Sequence, residues 1–409
     1  MKVLVLGGGL MGPAAAFNAM SDPDVSQVVI CDREQGQLDR SMGKLAGLTG
    51  AGKVSTTQLD LSDQAATARL LSSFDVAVGA LPGSVSVLAM RAALEAGRPF
   101  VDLALLDRSD LPGLARQAAS GGVCIILGCG LEPGLTEIMA RFLAGKLDRV
   151  DELHIRCGGI PEKPAPPLGY KIVFGGWHLP LYESDALVVR DGQLQPVPRY
   201  SGVESLVFPG VGECEAWHEG FLPWLMELPA LKGLRVGTQK TVRWPGYAAK
   251  VTVLKEMGLL SQEPIAVDAG VAGIDRASVG APGLRVSPKA LLDALLYPRV
   301  RLEEGERDIT LLRVEAVGEK AGRPCRYRVE MVDRTDEVHG FTSMARTTAF
   351  TGAIVARMIG RGDLQVTGVR TPEQVVVGPL FDRLVDELAG LDICFDLTEE
   401  KVETLGQAG

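Results

Sequence analysis

The sequence predicts an α/β fold: a doubly wound parallel sheet, an inserted α+β region, and a C-terminal segment that returns to the first domain. Three observations carry this prediction. Short apolar runs alternate with Ala-rich amphipathic stretches over the first 130 residues. A glycine triplet joins the first run to the first amphipathic stretch. Beyond residue 130 the alternation gives way to a different pattern. At about 150 residues per domain, 409 residues suit two or three domains. Their expected bounds are 1–130, 131–338 and 339–409.

In chain order, the apolar runs are Lys2–Leu6, Val28–Cys31, Val54–Leu59, Asp75–Leu81, Phe100–Leu103 and Val123–Leu127. They are rich in aliphatic or β-branched residues and bounded by Gly, Pro or charge, as buried strands are. Ala14–Met20, Gln64–Ser72, Val85–Glu95 and Leu111–Ala119 are the helices between them. Strand–helix alternation implies a parallel sheet covered on both faces, wound by right-handed crossovers. Gly128–Gly134 reads as a loop and Thr136–Leu147 as a helix. Val150–Cys157 is a strand, and the prolines of Pro161–Pro167 make it a connection. Further strands are expected at Ala186–Arg190, Gln239–Trp244, Pro264–Val267, Ile309–Val317 and Cys325–Val332. Helices are expected at Phe221–Leu231 and Ser287–Leu296. Met344–Ile359 is a long helix of small residues closed by Gly360, and Pro379–Ala389 is a last amphipathic helix.

Gly7, Gly9 and Gly12 form G-x-G-x-x-G between the first strand and the first helix, and Asp32 ends the second strand. In this setting the motif is the dinucleotide fingerprint of the Rossmann fold. Gly7 permits the tight turn, Gly9 lets a pyrophosphate approach the backbone, and Gly12 lets the helix pack closely. Leu10 and Met11 belong to the same loop, where the helix N-terminus presents N–H groups to phosphate. Asp32 suits an unphosphorylated ribose, so NAD is the expected cofactor. Arg33 leaves NADP open, because an Arg there also suits a 2′-phosphate. Ala80, Leu81 and Pro82 follow the fourth strand and should border the nicotinamide ribose. Asp60 either borders the adenine or caps the next helix.

Lys and Arg total 42 against 51 Asp and Glu, a net charge of −9. With no basic block, nucleic acid and anionic membrane are poor partners. No apolar run approaches the roughly 20 residues of a membrane span, so a cytoplasmic protein acting on a small molecule is expected. Seven cysteines without a C-x-x-C pair and four scattered histidines suggest neither a disulfide framework nor a metal site.

Several further stretches occur in order: G-L-E-P-G at 130–134, C-G-G-I-P at 157–161, Y-K-I-V-F at 170–174, R-W-P-G at 243–246, M-A-R-T-T at 344–348 and G-V-R-T-P-E-Q at 368–374. With the glycine fingerprint they resemble the saccharopine dehydrogenase family. The likeness is to its glutamate-forming reductases and, more, to the bacterial lysine 6-dehydrogenases. It implies a Rossmann domain, an inserted substrate domain with a mixed sheet, and a homodimer. It also implies NAD-dependent oxidation of the side-chain amine carbon of L-lysine or a related amino acid, giving a semialdehyde and ammonia. The pattern departs after Glu215–His218, where Glu219, Gly220 and Phe221 replace the family's Thr, Ser and two Gly. Two alternatives follow: NADPH-dependent condensation of an aldehyde with an amine, as in saccharopine or carboxyspermidine synthesis, and a nucleotide sensor without turnover.

Amine oxidation needs a neutral amine as hydride leaves and a hold on the substrate carboxylate, for which Arg is suited. Arg243, in R-W-P-G, is the candidate for the carboxylate. Asp102, at the end of the fifth strand, is the candidate beside the nicotinamide and the amine, unless it only caps the following helix. His218 is a candidate proton acceptor. Glu132 either complements the ammonium or caps the helix at Thr136, and Tyr170 closes the pocket.

Overall fold

A computed structural model describes residues 1–104, 111–175, 179–267 and 285–401. His178 lies outside the described residues. Strand and helix alternate from the start: β1 (Lys2–Leu6), α1 (Met11–Met20), β2 (Gln27–Asp32), α2 (Gln35–Leu45), β3 (Val54–Gln58), α3 (Gln64–Ser72), β4 (Val76–Gly79), α4 (Gly83–Ala96), β5 (Phe100–Asp102), α5 (Leu111–Gly121) and β6 (Cys124–Ile126). The sequence expectation lacks α2, whose polar face leaves only Leu38, Ser41 and Leu45 buried.

The chain continues through α6 (Leu135–Ala144), β7 (Arg149–Pro161), β8 (Ala186–Arg190), β9 (Gln193–Val197), β10 (Glu204–Phe208), β11 (Gly212–His218), β12 (Val236–Arg243), α7 (Tyr247–Glu256), β13 (Ile265–Ala266), β14 (Arg285–Val286), α8 (Pro288–Val300), β15 (Asp308–Lys320) and β16 (Arg323–Arg334). It ends with α9 (Ser343–Arg361), β17 (Gly368–Arg370), α10 (Pro372–Val375), α11 (Pro379–Ala389) and β18 (Asp396–Lys401). The helix expected at Phe221–Leu231 is instead two 3-10 turns, Pro223–Glu227 and Pro229–Leu231. Pro229 lacks an N–H and blocks the preceding turn from continuing as α-helix.

Among the described residues, two sheets organise the chain. The first is parallel, in the order β17-β6-β5-β4-β1-β2-β3. The chain order reverses between β1 and β4, so a crevice opens beyond their carboxyl ends. The second runs β10-β11-β12-β7-β15-β16-β18, with β8 against β12 and β9. Its β12–β7 pair is parallel and its other pairs are antiparallel. The C-terminal segment therefore serves both sheets. β17 extends the first sheet beside β6, but β18 pairs with β16 of the second, correcting the expectation that the whole segment packs on the first domain.

The helix α9 lies between the sheets, packed on α1, β4 and β5 on one side and β15 on the other. Small residues make that possible. A Cβ on Gly352 would meet Leu103 Cδ2 at 2.2 Å and the Cys129 carbonyl at 2.9 Å. The expected stop at Gly360 is wrong for the same reason. Gly360 is helical and gives room to the Met1 side chain, while Gly362, at φ +82°, ends the helix. Both ends of α9 are fastened by buried charge. Asp308 accepts from the Ser343 and Met344 amides at 2.7 and 2.9 Å and from the Thr335 hydroxyl at 2.8 Å. Arg357 reaches Asp22 and Glu387 and donates to Asn18 at 2.8 Å.

Because Asp308 on β15 satisfies free amides at the helix start, Asp308→Ala should strand buried donors at the joint of the two sheets. We expect a loss of about 2–4 kcal/mol in denaturant unfolding, with Asp308→Asn losing less.

Candidate active site

The glycine loop sits in the crevice beyond β1 and β4. Gly7 turns out of β1 at φ +103°, where a Cβ would lie 2.3 Å from the Ala80 carbonyl oxygen. Gly12 is packed so tightly that its Cβ would lie 1.9 Å from the Gly7 carbonyl oxygen. A Cβ on Gly9, in contrast, would meet nothing within 4 Å. Two of the glycines thus close the turn internally, and the middle one leaves open space before the first turn of α1. That cradle fits a dinucleotide pyrophosphate. Leu10 precedes α1 half-exposed, Met11 opens the helix, and Leu10 Cβ faces Gly175 of the second region.

Asp32 ends β2. Its Oδ2 accepts from the Gly8 amide at 2.7 Å and its Oδ1 from the Glu34 amide at 2.9 Å. Each oxygen keeps a lone pair for a further donor. Arg33 is exposed and lies 3.4 Å from Glu34. Ala80 is tied to β1 by its amide on the Leu6 carbonyl at 2.8 Å, Leu81 packs beside Gly7, and Pro82 precedes α4. Asp60 is exposed and accepts from the Ser62 amide at 2.8 Å, which holds its carboxyl below the usual range. It is not the cap of α3. Asp63 is, through the Ala66 amide at 3.0 Å.

Asp102 is wholly buried at the carboxyl end of β5. Its Oδ1 accepts from the Ser86 hydroxyl and the Ala104 amide, both at 3.1 Å, and its Oδ2 has no partner. Burial pushes the carboxyl up to about 7, against those two bonds. Among the described residues, the helix that follows it in sequence takes no bond from it. Its hydroxyl partner is on α4.

The loop 130–134 brings the first domain to the second. Glu132 Oε1 accepts from Gln239 Nε2 of β12 at 3.0 Å, and the same nitrogen lies 3.0 Å from Glu137 Oε1. Glu137, not Glu132, caps α6, accepting from the Gly134 amide at 2.5 Å and the Thr136 hydroxyl at 2.8 Å. Burial, then the charge of Glu137, pushes Glu132 up to about 8, and burial also raises Glu137. The pair therefore holds a proton at neutral pH.

Strand alternation decides the rest of the site. Gln239, Thr241 and Arg243 project to one face of β12, and Lys240 to the other. In register with them, Cys157 pairs with Thr241, Trp217 with Thr241, and Glu215 with Arg243. Arg243 is buried, its guanidinium 4.6 Å from the Tyr170 ring centre and 6.0 Å from that of Tyr247. Its Nη1 donates to the Val242 carbonyl at 2.8 Å and its Nε has no partner. Among the described residues, no carboxylate forms an ion pair with it. Gly158 of C-G-G-I-P makes room: a Cβ there would lie 2.7 Å from Arg243 Nη1. Trp217 stacks on Tyr247 with ring centres 5.0 Å apart, and the wholly buried Tyr170 meets Tyr247 edge-on with its hydroxyl unpartnered. Glu215 holds the turn after Arg243 through the Gly246 and Ala248 amides, at 2.7 and 2.6 Å.

His218 is corrected. It pairs with Lys240 and so points to the opposite face, against Gly202 and beside a charged layer. In that layer Arg156 bonds Glu204 at 2.8 Å and Glu315 at 2.5 Å, and Lys240 bonds Glu204 at 3.1 Å. Burial, then Lys240 and Arg190, lowers the imidazole to about 4. A ring behind the sheet and uncharged at pH 7 does not serve the site.

Residues 3–126 match the family model described as the saccharopine dehydrogenase NADP binding domain, and residues 130–391 match the saccharopine dehydrogenase C-terminal domain. The chain belongs to the saccharopine dehydrogenase family. It is an NAD(P)-dependent oxidoreductase of that family rather than a nucleotide sensor. Carboxynorspermidine synthase of Vibrio cholerae is 21% identical over 96% of this chain and 97% of its own. The NADP(+), L-glutamate-forming saccharopine dehydrogenase of Saccharomyces cerevisiae is 21% identical over 94% of this chain and 97% of its own. Carboxyaminopropylagmatine dehydrogenase of Synechocystis is 22% identical over 94% and 95%. Apo saccharopine dehydrogenase (L-Glu forming) from Saccharomyces cerevisiae shares the fold, with a TM-score of 0.77 at 20% identity over 98% of this chain and all of that one. No helix among the described residues is long and apolar enough to cross a membrane.

Sequence reasoning missed Gln239, Glu137 and Thr241. The first and last were accessible from Arg243 by counting back four and two residues along one strand. The role of Glu137 was not, because its partner is 102 residues away.

Two tests follow. Gly9→Val should leave thermal stability near wild type but weaken NADH or NADPH binding by fluorescence titration at least about tenfold, whereas Gly12→Val should lower the melting temperature itself. Asp102 binds its proton more tightly folded than unfolded, so its contribution to stability is intact below about pH 4 and falls as pH rises through 7. Between pH 5 and pH 8 the wild type should therefore lose about 2 kcal/mol of unfolding free energy relative to Asp102→Asn.

Proposed function

We propose that this enzyme oxidises the amine-bearing side-chain carbon of L-lysine or a close relative with NAD, releasing a semialdehyde and ammonia, and that it works as a cytoplasmic homodimer. The observation that carries the reading is Arg243, a buried cation with no ion-pair partner among the described residues, on the same sheet face as a proton-holding carboxylate pair. A substrate carboxylate would complete the guanidinium, because a buried charge is stable only when paired. The family likeness and the motif order support the same substrate class.

The glycine loop, Asp32 and the Ala80–Pro82 turn would hold the cofactor. When bound, the nicotinamide supplies the hydride acceptor. Arg243 would hold the substrate carboxylate as a two-pronged donor. Tyr170 and Tyr247 would exclude water from the aliphatic stem. At alkaline pH, where it is ionised, Glu132, hydrogen-bonded by Gln239, would take the proton of the substrate ammonium and leave the amine neutral. Asp102, also raised, would hold a proton at the carboxyl end of β5. The carboxylate of Asp32 favours NAD, since a 2′-phosphate would meet its charge.

A second reading, reductive condensation of an aldehyde with an amine using NADPH, is favoured by exposed Arg33 beside Asp32 and by the names of the relatives.

Reduced-nicotinamide absorbance distinguishes these readings. With L-lysine at alkaline pH we expect a rate with NAD exceeding that with NADP, and Arg243→Ala should lower kcat/KM about 100-fold. No rate with any lysine-like amine would overturn the oxidative reading. NADPH consumption requiring aldehyde and amine together would establish the reductive one. Sedimentation at micromolar concentration tests the dimer.

A further inference from the structure

We propose that Glu219 sets the charge of the substrate's far end, so that the site takes an amino acid with one carboxylate and one remote ammonium and rejects a second carboxylate. The inference rests on the proposed reaction at this site and deepens it.

Glu219 follows β11, with its amide on the Gln239 carbonyl at 3.0 Å. Two residues beyond Trp217, it projects to the face of Arg243. Its Oε2 accepts from the Thr241 hydroxyl at 3.2 Å, and its Oε1 meets Arg199. Its charge acts on Glu132, Tyr170 and Tyr247, as the charge of Arg243 does, so both ends of the site feel the same two groups.

The two arginines are not equivalent. Arg199 is committed, with Nε on the Ser184 carbonyl at 2.9 Å, Nη2 on that of Asp185 at 3.4 Å and Nη1 on Glu219. It fixes Glu219 in place rather than waiting for a ligand. Arg243 is nine-tenths buried and keeps Nε unpartnered, beside the unpartnered hydroxyl of a fully buried Tyr170. Among the described residues, this face therefore offers a ligand one cation with a donor to spare, Arg243, and the Glu219 lone pairs that Arg199 and Thr241 leave free as acceptors. A ligand with a carboxylate at one end and an ammonium at the other meets Arg243 with the first and Glu219 with the second. A ligand with carboxylates at both ends would set one against the Glu219 oxygens, where the Arg199 guanidinium is already committed, and like charges at short range in a buried site are costly.

Calorimetric titration of the full chain, saturated with NADH or NADPH, tests this without requiring turnover. The probes are L-ornithine and L-lysine, their uncharged counterparts L-norvaline and L-norleucine, and the dicarboxylates L-glutamate and L-2-aminoadipate. We expect ornithine or lysine to bind at least about tenfold more tightly than its uncharged counterpart, with the dicarboxylates weakest. Glu219→Gln should close that gap to within about twofold, and Thr241→Val, which removes one tie, should narrow it about threefold. Melting curves and cofactor titrations verify that each variant is folded. Arg243→Ala should weaken all six ligands, which separates its role from that of Glu219. Dicarboxylates binding as tightly as diamino acids, a gap unchanged in both variants, or no binding by any of the six would overturn the assignment. An intact gap without turnover overturns the proposed reaction and not this role. Turnover with no gap overturns this role and not the reaction.

Discussion

Burial of one helix between two sheets is the constraint on which the rest of the molecule depends. The helix α9 touches β4 and β5 of the first sheet and β15 of the second. A helix buried on all sides must be narrow, and Gly352 and Gly360 lie where any side chain would strike a neighbour. It must also end well, because free amides and carbonyls in an interior are costly. Asp308 meets that need at one end, and the Gly362 and Asp363 amides meet it at the other on the Ile359 and Met358 carbonyls. With the helix held, the carboxyl edge of the first sheet faces the inserted sheet, and a loop from one reaches a strand of the other through Glu132 and Gln239.

The site's electrostatics follow from that meeting. Carboxylates shielded from water lose hydration, so burial drives Asp102 toward neutrality, and burial with the neighbouring charge of Glu137 does the same for Glu132. The same shielding makes a guanidinium without an ion-pair partner among the described residues conspicuous, and Arg243 is tolerated because aromatic faces, one carbonyl and the missing side chain of Gly158 surround it. Period-two alternation then sorts the charges. Gln239, Thr241 and Arg243 face the proposed site, while Lys240 joins an ion-paired layer behind it and His218 packs beside that layer. One strand thus carries the residues proposed to meet substrate on one face and structural ion pairs on the other.

The first domain was legible because its signals are local. Each strand is a short apolar run, and the fingerprint glycines act within a few residues of one another, Gly12 on Gly7 most directly. The inserted domain was less so. Prolines turned the expected helix at Phe221–Leu231 into 3-10 turns, and the polar strands β9 and β18 lack apolar runs to announce them. Asp102 and Arg243 could be picked out as strand-end polar residues, but whether either was paired could not. His218 looked equivalent to its neighbours because a sequence does not say which face of a half-buried strand is the useful one.

The sequence by itself determined the dinucleotide-binding half, the family and the residue types near the chemistry, since these depend on short-range turns, periodicity and motif order. The tertiary structure alone decided which charges meet. Glu132 and Gln239 are 107 residues apart, and Asp308 lies 35 before the helix amide it caps. Burial and charge pairing depend on distance in space, and contacts at such separations arise only once both sheets have closed on α9.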